Sequence, residues 1–351
     1  MQNTIDIGWL DIGVREDSSL GVLDRGRLHH VVDQLPDPRN QYPSLCVFLG
    51  GKIKDHALQR LYTQNNIKRH ISEAQVRLRY DVSTLESRQP VLLADGDILQ
   101  ARRLHAPQKL AAGMGQPVLW DVCSAGRLLQ VLWSRLIFLF ADVICIFIDD
   151  ISAMKMLIKF LVVCQELGSA SSLPQALLPR VVFIYKTGVT DDGMDRSCES
   201  LFYKDLKDSG SKDLSRLFSR ISFMELCKGS LSETANYLRI KSCIAEEVRA
   251  MSFLRQIHHF HPNATHFQAL FQSAFHHTLN DLCNPFDVVK ATRRDRPVSL
   301  CAESNLVHYL EIAHRARLFP HELAPSIASA LFMDHYVPEM FGMLDNPTIR
   351  E

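Results

Sequence analysis

Up to about residue 228 the apolar residues come in short unbroken runs separated by turns, and beyond it they come at helical spacing. The first run, Leu45 to Leu49, ends in Gly50-Gly51 and is followed by Ala57, Leu58, Leu61 and Tyr62 on one helical face. Strand, glycine turn and helix is the opening of an α/β unit. Val76-Arg77-Leu78-Arg79-Tyr80 alternates with period two, which predicts a strand with one exposed face. Val91 to Gly96, Val143 to Ile148, Arg180 to Tyr185 and Ile221 to Leu226 are further strands, and Ile151 to Leu167 is a helix. Apolar runs without alternation predict burial on both faces, the mark of parallel strands covered by helices.

The C-terminal pattern is different. Ser232 to Gln256, Thr265 to Leu282, Ser304 to Leu318 and Pro320 to Asp334 read as amphipathic helices, broken by Pro262, Asn284-Pro285, Arg296-Pro297 and Pro320. The N-terminal residues 1–40 are polar, rich in Asp, Arg and Gly, and end in LPDPRNQYP. The expected organisation is a loose extension over 1–40, a three-layer α/β core with a mostly parallel sheet over 41–228, and an α-helical domain over 229–351.

Composition removes several classes. With 39 Lys+Arg against 39 Asp+Glu the chain has no basic excess, which argues against nucleic acid as a partner. Nine scattered cysteines with no C-x-x-C favour a reducing compartment over a disulfide framework. The N-terminus lacks a basic region followed by an apolar one, so no secretory signal is read and an intracellular, cytoplasmic chain is expected. The most apolar run, Leu136 to Ile148, contains Asp142 and falls short of the roughly 20 residues a transmembrane helix needs. It reads as a helix end followed by a buried strand.

Six strands with an alternating second one resemble a Ras-like G domain, so the phosphate loop can be tested. A working loop reads G-x-x-x-x-G-K-[ST]: its glycines let backbone amides surround phosphates, its lysine neutralises them and its hydroxyl holds magnesium. This chain has Gly50-Gly51-Lys52-Ile53-Lys54-Asp55-His56, with no Gly-Lys-Ser/Thr and a carboxylate where anions should lie. In place of Asp-x-x-Gly it has Asp95-Gly96-Asp97-Ile98, and in place of the guanine-reading Asn-Lys-x-Asp it has Tyr185-Lys186-Thr187-Gly188. Gly50, Gly51 and Lys52 are read as a vestigial phosphate loop, with Asp95 and Lys186 equally vestigial. No cofactor is expected.

Other constellations are weaker. His258, His259, His261, His266, His276 and His277 cluster, but no H-E-x-x-H occurs and no Cys lies at knuckle spacing, so no metal is expected. Asp149-Asp150 follows a strand and reads as a helix N-terminus, with a carboxylate stabilised by the helix dipole. Asn263-Ala264-Thr265 reads as a turn and N-cap. Gly168-Ser169-Ala170-Ser171-Ser172-Leu173 has no second glycine after the serine and follows a helix, so it is a loop and not a nucleophile elbow.

Longer blocks carry a resemblance. FLFADVICIFIDDISAMKMLIKFLV, GSASSLPQALLPRVVFIY, LFSRISFMEL, NPFDVVKATRRDRPVS and IASALFMDHYVPEMF are similar to the region preceding the catalytic domain in large fungal patatin-like phospholipase proteins, over about Tyr42 to Met343. That family's chemistry belongs to a later domain with a G-x-S-x-G serine and an Asp from D-G-[GA]. Asp191-Asp192-Gly193-Met194 is the nearest match to the latter and lacks its third small residue. No catalytic residue carries over. The resemblance implies a non-catalytic accessory or regulatory region, linked to lipid metabolism through its relatives, whose partner is a patatin-like lipase domain or another protein. The alternative is an atypical nucleotide-binding switch.

Overall fold

The computed structural model describes residues 7–65, 67, 75–97, 109–111, 113–186, 198–210, 213–226, 232–292 and 302–335. Its elements are β1 (Gly8–Val14), β2 (Leu20–Asp24), α1 (Arg27–Asp33), β3 (Ser44–Leu49), α2 (Lys52–Leu61), β4 (Gln75–Tyr80), β5 (Val91–Gly96), β6 (Gln116–Pro117) and α3 (Ala125–Val131). A π-helical turn, Leu132–Ile137, then leads into α4 (Phe138–Phe140), β7 (Ala141–Ile148), α5 (Ile151–Leu167), β8 (Arg180–Lys186), α6 (Cys198–Asp208) and β9 (Arg220–Leu226). Five helices complete it: α7 (Glu233–Ile257), α8 (Ala264–Asn280), α9 (Val288–Thr292), α10 (Ala302–Arg315) and α11 (Pro320–His335).

The class is α/β, built on one mixed sheet with strand order β6-β2-β1-β4-β5-β3-β7-β8-β9. The joins β5-β3, β3-β7, β7-β8 and β8-β9 are parallel, and β6-β2, β2-β1, β1-β4 and β4-β5 are antiparallel. Half of the sheet is therefore antiparallel, more than the sequence pattern led one to expect. The surplus comes from residues that the pattern left outside any strand.

The N-terminal extension is one source. Residues 8–24 form the β1-β2 hairpin, whose turn is closed by Asp17 accepting the amide and hydroxyl of Ser19. Trp9 and Val22 are wholly buried, and the Trp9 ring lies 4.5 Å from that of Phe271 on α8. The segment is thus anchored to the sheet and not loose. Its acids and arginines, which made it read as polar, pair within the hairpin, as in Arg25–Asp11, or tie it to the fold, as where Arg27 donates to the Leu78 carbonyl and Asp24 accepts from Gln272 of α8.

The central strands are buried on both faces. On β3, Leu45, Val47 and Leu49 enter one core while Cys46 and Phe48 enter the other; on β7, Ile144, Ile146 and Ile148 oppose Val143, Cys145 and Phe147. This is why both read as unbroken apolar runs. One core is covered by α2 and by Tyr237, Ile240, Ile244 and Val248 of α7. The opposite core is covered by α1, α3, α5 and α6 together with Phe267, Phe271 and Phe275 of α8.

Polar ties join these layers. Asp142 at the start of β7 accepts the amide of Leu45 (2.8 Å) and pairs with Arg255 of α7 (2.6 Å). Arg135 on the π-helical turn donates to the carbonyls of Leu167, Ser169, Leu282 and Asn284, stitching the end of α5 to the end of α8. The loop Gly168 to Leu173 is held there.

Candidate functional site

The junction of β3 and α2 is where the sequence placed its vestigial phosphate loop. Only Gly50 and Gly51 separate strand from helix. Gly50 has φ of 137°, and a Cβ on it would lie 2.7 Å from the carbonyl oxygen of Phe147, so only glycine fits there. This tight connection aims the first amides of α2 at the carboxyl end of β7.

Those amides are already taken. Asp149 accepts the Lys52 amide through Oδ2 (3.0 Å) and the Ile53 amide through Oδ1 (2.9 Å). A carboxylate of the chain itself thus occupies the position that an anion takes at a helix N-terminus. A Cβ on Gly51 would come within 2.4 Å of Asp149 Oδ2, so Gly51 makes room for this acid. Its neighbour Asp150 caps a different helix, accepting the amide of Ala153 at 2.7 Å to start α5. The two adjacent acids, expected at one helix N-terminus, serve two.

Beside the loop lies a buried ionic group. Lys54, on the first turn of α2, is 2% exposed and reaches Asp95 (3.7 Å), Asp55 (3.5 Å) and the carbonyl of Gly96 (3.2 Å). Arg77 and Arg79 of β4 meet the same Asp95 carboxylate. Burial pushes the Asp95 carboxyl up, but Lys54, Arg79 and Arg77 outweigh it and hold the group below the usual carboxylate range. The two arginines, expected on an exposed strand face from their alternation, are instead 5% and 7% exposed. Gly96 closes the far side, since a Cβ there would lie 2.5 Å from the Trp133 ring.

The structure therefore brings Gly50, Gly51 and Lys52 against Asp149, and Asp95 against Lys54. The Lys52 side chain is exposed, and so is Lys186 at the end of β8. Thr187, Gly188, Ile98 and the stretch 191–194 lie outside the described residues. Lys54, Arg77 and Arg79 were not singled out from the sequence. The signal for them was present, three cations within reach of an acid that ends an apolar run, but it becomes specific only once β4 is known to pair with β5.

Elsewhere the geometry is structural. Asn263 caps α8 by accepting the amide of His266 (2.9 Å), the role read for it. His261 stacks on Tyr42 at 4.5 Å, and burial, helped by Arg255 and Arg88, lowers its pKa to about 4. Among the described residues no group of three or more His, Cys, Asp or Glu could hold a metal ion, and every described cysteine is a free thiol. No described helix is long and apolar enough to cross a membrane. A cavity of about 740 Å³ opens at the amino ends of β8 and β9, away from α2, and its Gln165 and Gln175 amides are bonded to the carbonyls of Asp213 and Ser215. Compared with known proteins, the chain matches no family model and no curated sequence.

Proposed function

We propose that this chain is a G-domain-like scaffold whose phosphate position is filled from within, acting as a non-catalytic accessory or regulatory module. The observation that carries this reading is the Asp149 carboxylate on the Lys52 and Ile53 amides. A nucleotide phosphate arriving there would meet a like charge instead of free donors, and Lys54, the only buried lysine on that turn, is committed to Asp95.

The G-domain element of the proposal is supported by topology. The order β4-β5-β3-β7-β8-β9, with β4 antiparallel and the others parallel, is the order of a Ras-like sheet, and α2 follows its first strand as the helix after a phosphate loop does. The helices after residue 228 form its C-terminal part. The block similarity to the region ahead of fungal patatin-like catalytic domains supports an accessory role beside such a lipase domain. Fold alone assigns no chemistry.

Isothermal titration tests the filled site. With magnesium present, neither GTP nor ATP should give heat at about 100 μM chain, a concentration that detects micromolar complexes. Micromolar binding that weakens in Lys52→Ala would overturn the proposal and make the chain a nucleotide switch. Turnover of a nitrophenyl ester, abolished by a serine trap, would overturn its non-catalytic half.

A further inference from the structure

Helix α7 covers one face of the sheet and α8 the other, so the chain between them, residues 258–263, has to pass around the sheet. It passes at the amino ends of the central parallel strands. The Asn263 side-chain amide donates to the Arg39 carbonyl (3.0 Å), and the Ala264 amide to the Gln41 carbonyl (2.8 Å), both on the segment that enters β3. On the α7 side the Phe260 amide donates to the Arg255 carbonyl (2.8 Å), and the Arg255 guanidinium lies 5.5 Å over the Phe260 ring.

His261 sits at the centre of this corner. It is half-buried, and its ring is stacked on that of Tyr42, just before β3, with 4.5 Å between centroids and 10° between planes. The charged groups that face it are both cations: Arg88, which lies 5.4 Å over the same Tyr42 ring, and Arg255 of α7. Asp142, at the start of β7, is already held by Arg255 and by the Leu45 amide. His258 and His259, on the same corner, face solvent, and His266 lies on the first turn of α8. A proton on the His261 ring would set a third cation beside two others in a partly desolvated place. Only departure of the ring from the stack relieves it.

We propose that His261 is an acid-released latch: neutral, it stacks on Tyr42 and closes the α7–α8 corner against the entry to β3; protonated, it leaves the stack and the corner opens while the sheet stays folded. The depressed pKa of the stacked ring, about 4, has the sign this requires, because the released ring returns to the ordinary 6.5 and so binds the proton first as pH falls. The latch gives the chain a proton-sensitive joint between the two layers that cover its sheet. It lies at the opposite end of β3 from the α2 site and stands or falls apart from it.

Hydrogen exchange of the full chain tests it. The amides held in the corner are those of Phe260, Ala264, His266 and Phe267. After correction for the intrinsic pH dependence of exchange, their protection should fall about twentyfold between pH 7.5 and pH 5, the factor that pKa values of about 4 in the stack and 6.5 on release impose on the opening. Amides of α5, away from the corner, should change by less than about threefold. His261→Phe, which keeps an aromatic ring on Tyr42, should abolish the fall, and Arg88→Gln, at an exposed position, should reduce it by removing one opposing cation. Titration of the imidazole by nuclear magnetic resonance needs no variant to fold, and should place His261 well below 6.5. A ring that titrates near 6.5, a loss shared equally by α5, a fall that persists in folded His261→Phe, or one that Arg88→Gln leaves unchanged would each overturn the proposal.

Discussion

Asp149, the residue after β7, receives the backbone amide of Ile53 on the first turn of α2 at 2.9 Å, although 96 positions separate them in the chain. Parallel pairing of β3 with β7 makes this possible, because it brings the carboxyl end of one strand beside the start of the helix that leaves the other. Chemically the contact is an N-cap supplied from outside the helix.

Removing it should cost what a good cap contributes. Asp149→Ala should lower stability by about 1–2 kcal/mol in urea unfolding, because two helix amides lose a charged acceptor. Gly51→Ala should have a similar effect by displacing the same carboxylate. The two losses should be sub-additive in the double variant, since both break one contact. Full additivity would mean that Gly51 matters for some reason other than the approach of Asp149.

Asp95 is the counter-charge for Lys54, Arg77 and Arg79, so Asp95→Asn should be among the most damaging single substitutions. Leaving cations buried without their carboxylate costs about 3–5 kcal/mol, enough to be read in chemical denaturation. Asp95 also sets an acid limit. Its folded pKa lies below the ordinary carboxyl value of 3.8, so its contribution is fully present above that value and fades as pH falls through the lower, folded one. The Asn variant should lose that part of the pH dependence.

His261 acts in the next pH window with the same sign. Its folded pKa of about 4 lies below the ordinary 6.5, so the unfolded chain takes up the proton first as pH falls. Stability from this group is therefore complete above about pH 6.5 and declines towards pH 4. Between about pH 7.5 and pH 5 it should fall by about 1–2 kcal/mol. His261→Phe, which can keep the stack on Tyr42, should flatten the decline; an unchanged slope would assign it to other groups.

The positions the sequence made legible are those whose burial is settled locally. Val47 and Phe48 are consecutive and both wholly buried, so β3 could not be mistaken for a surface element. The failures share a different cause. Trp9 is one large apolar residue among Asp, Arg and Gly, and its value depends on Phe271, more than 250 positions away. Arg77 and Arg79 alternate with Val76 and Leu78 as a solvated face would, and nothing within the strand announces that Asp95 will lie opposite. The phosphate loop failed by its own letters, which is why that reading needed no partner strand. Which acid meets the first amides of α2 depended on the β3-β7 pairing.

Arg135 offers the last test, because its four acceptors belong to two helix ends and a loop that one side chain holds together. Carbonyls at a helix C-terminus carry partial negative charge, so one guanidinium among several of them replaces the missing helical amides. Burial is the first influence on its own pKa and lowers it, yet an arginine so placed remains a cation. Arg135→Met keeps much of the side-chain volume and removes every donor. It should cost about 2–4 kcal/mol, in the range of a buried polar group whose acceptors are left unsatisfied. Amide hydrogen exchange should accelerate together at Gly168 to Leu173 and at Leu282 to Phe286, since one side chain holds both segments. Acceleration of only one of them would show that the ends of α5 and α8 are fixed independently, and that Arg135 serves the packing of its own turn.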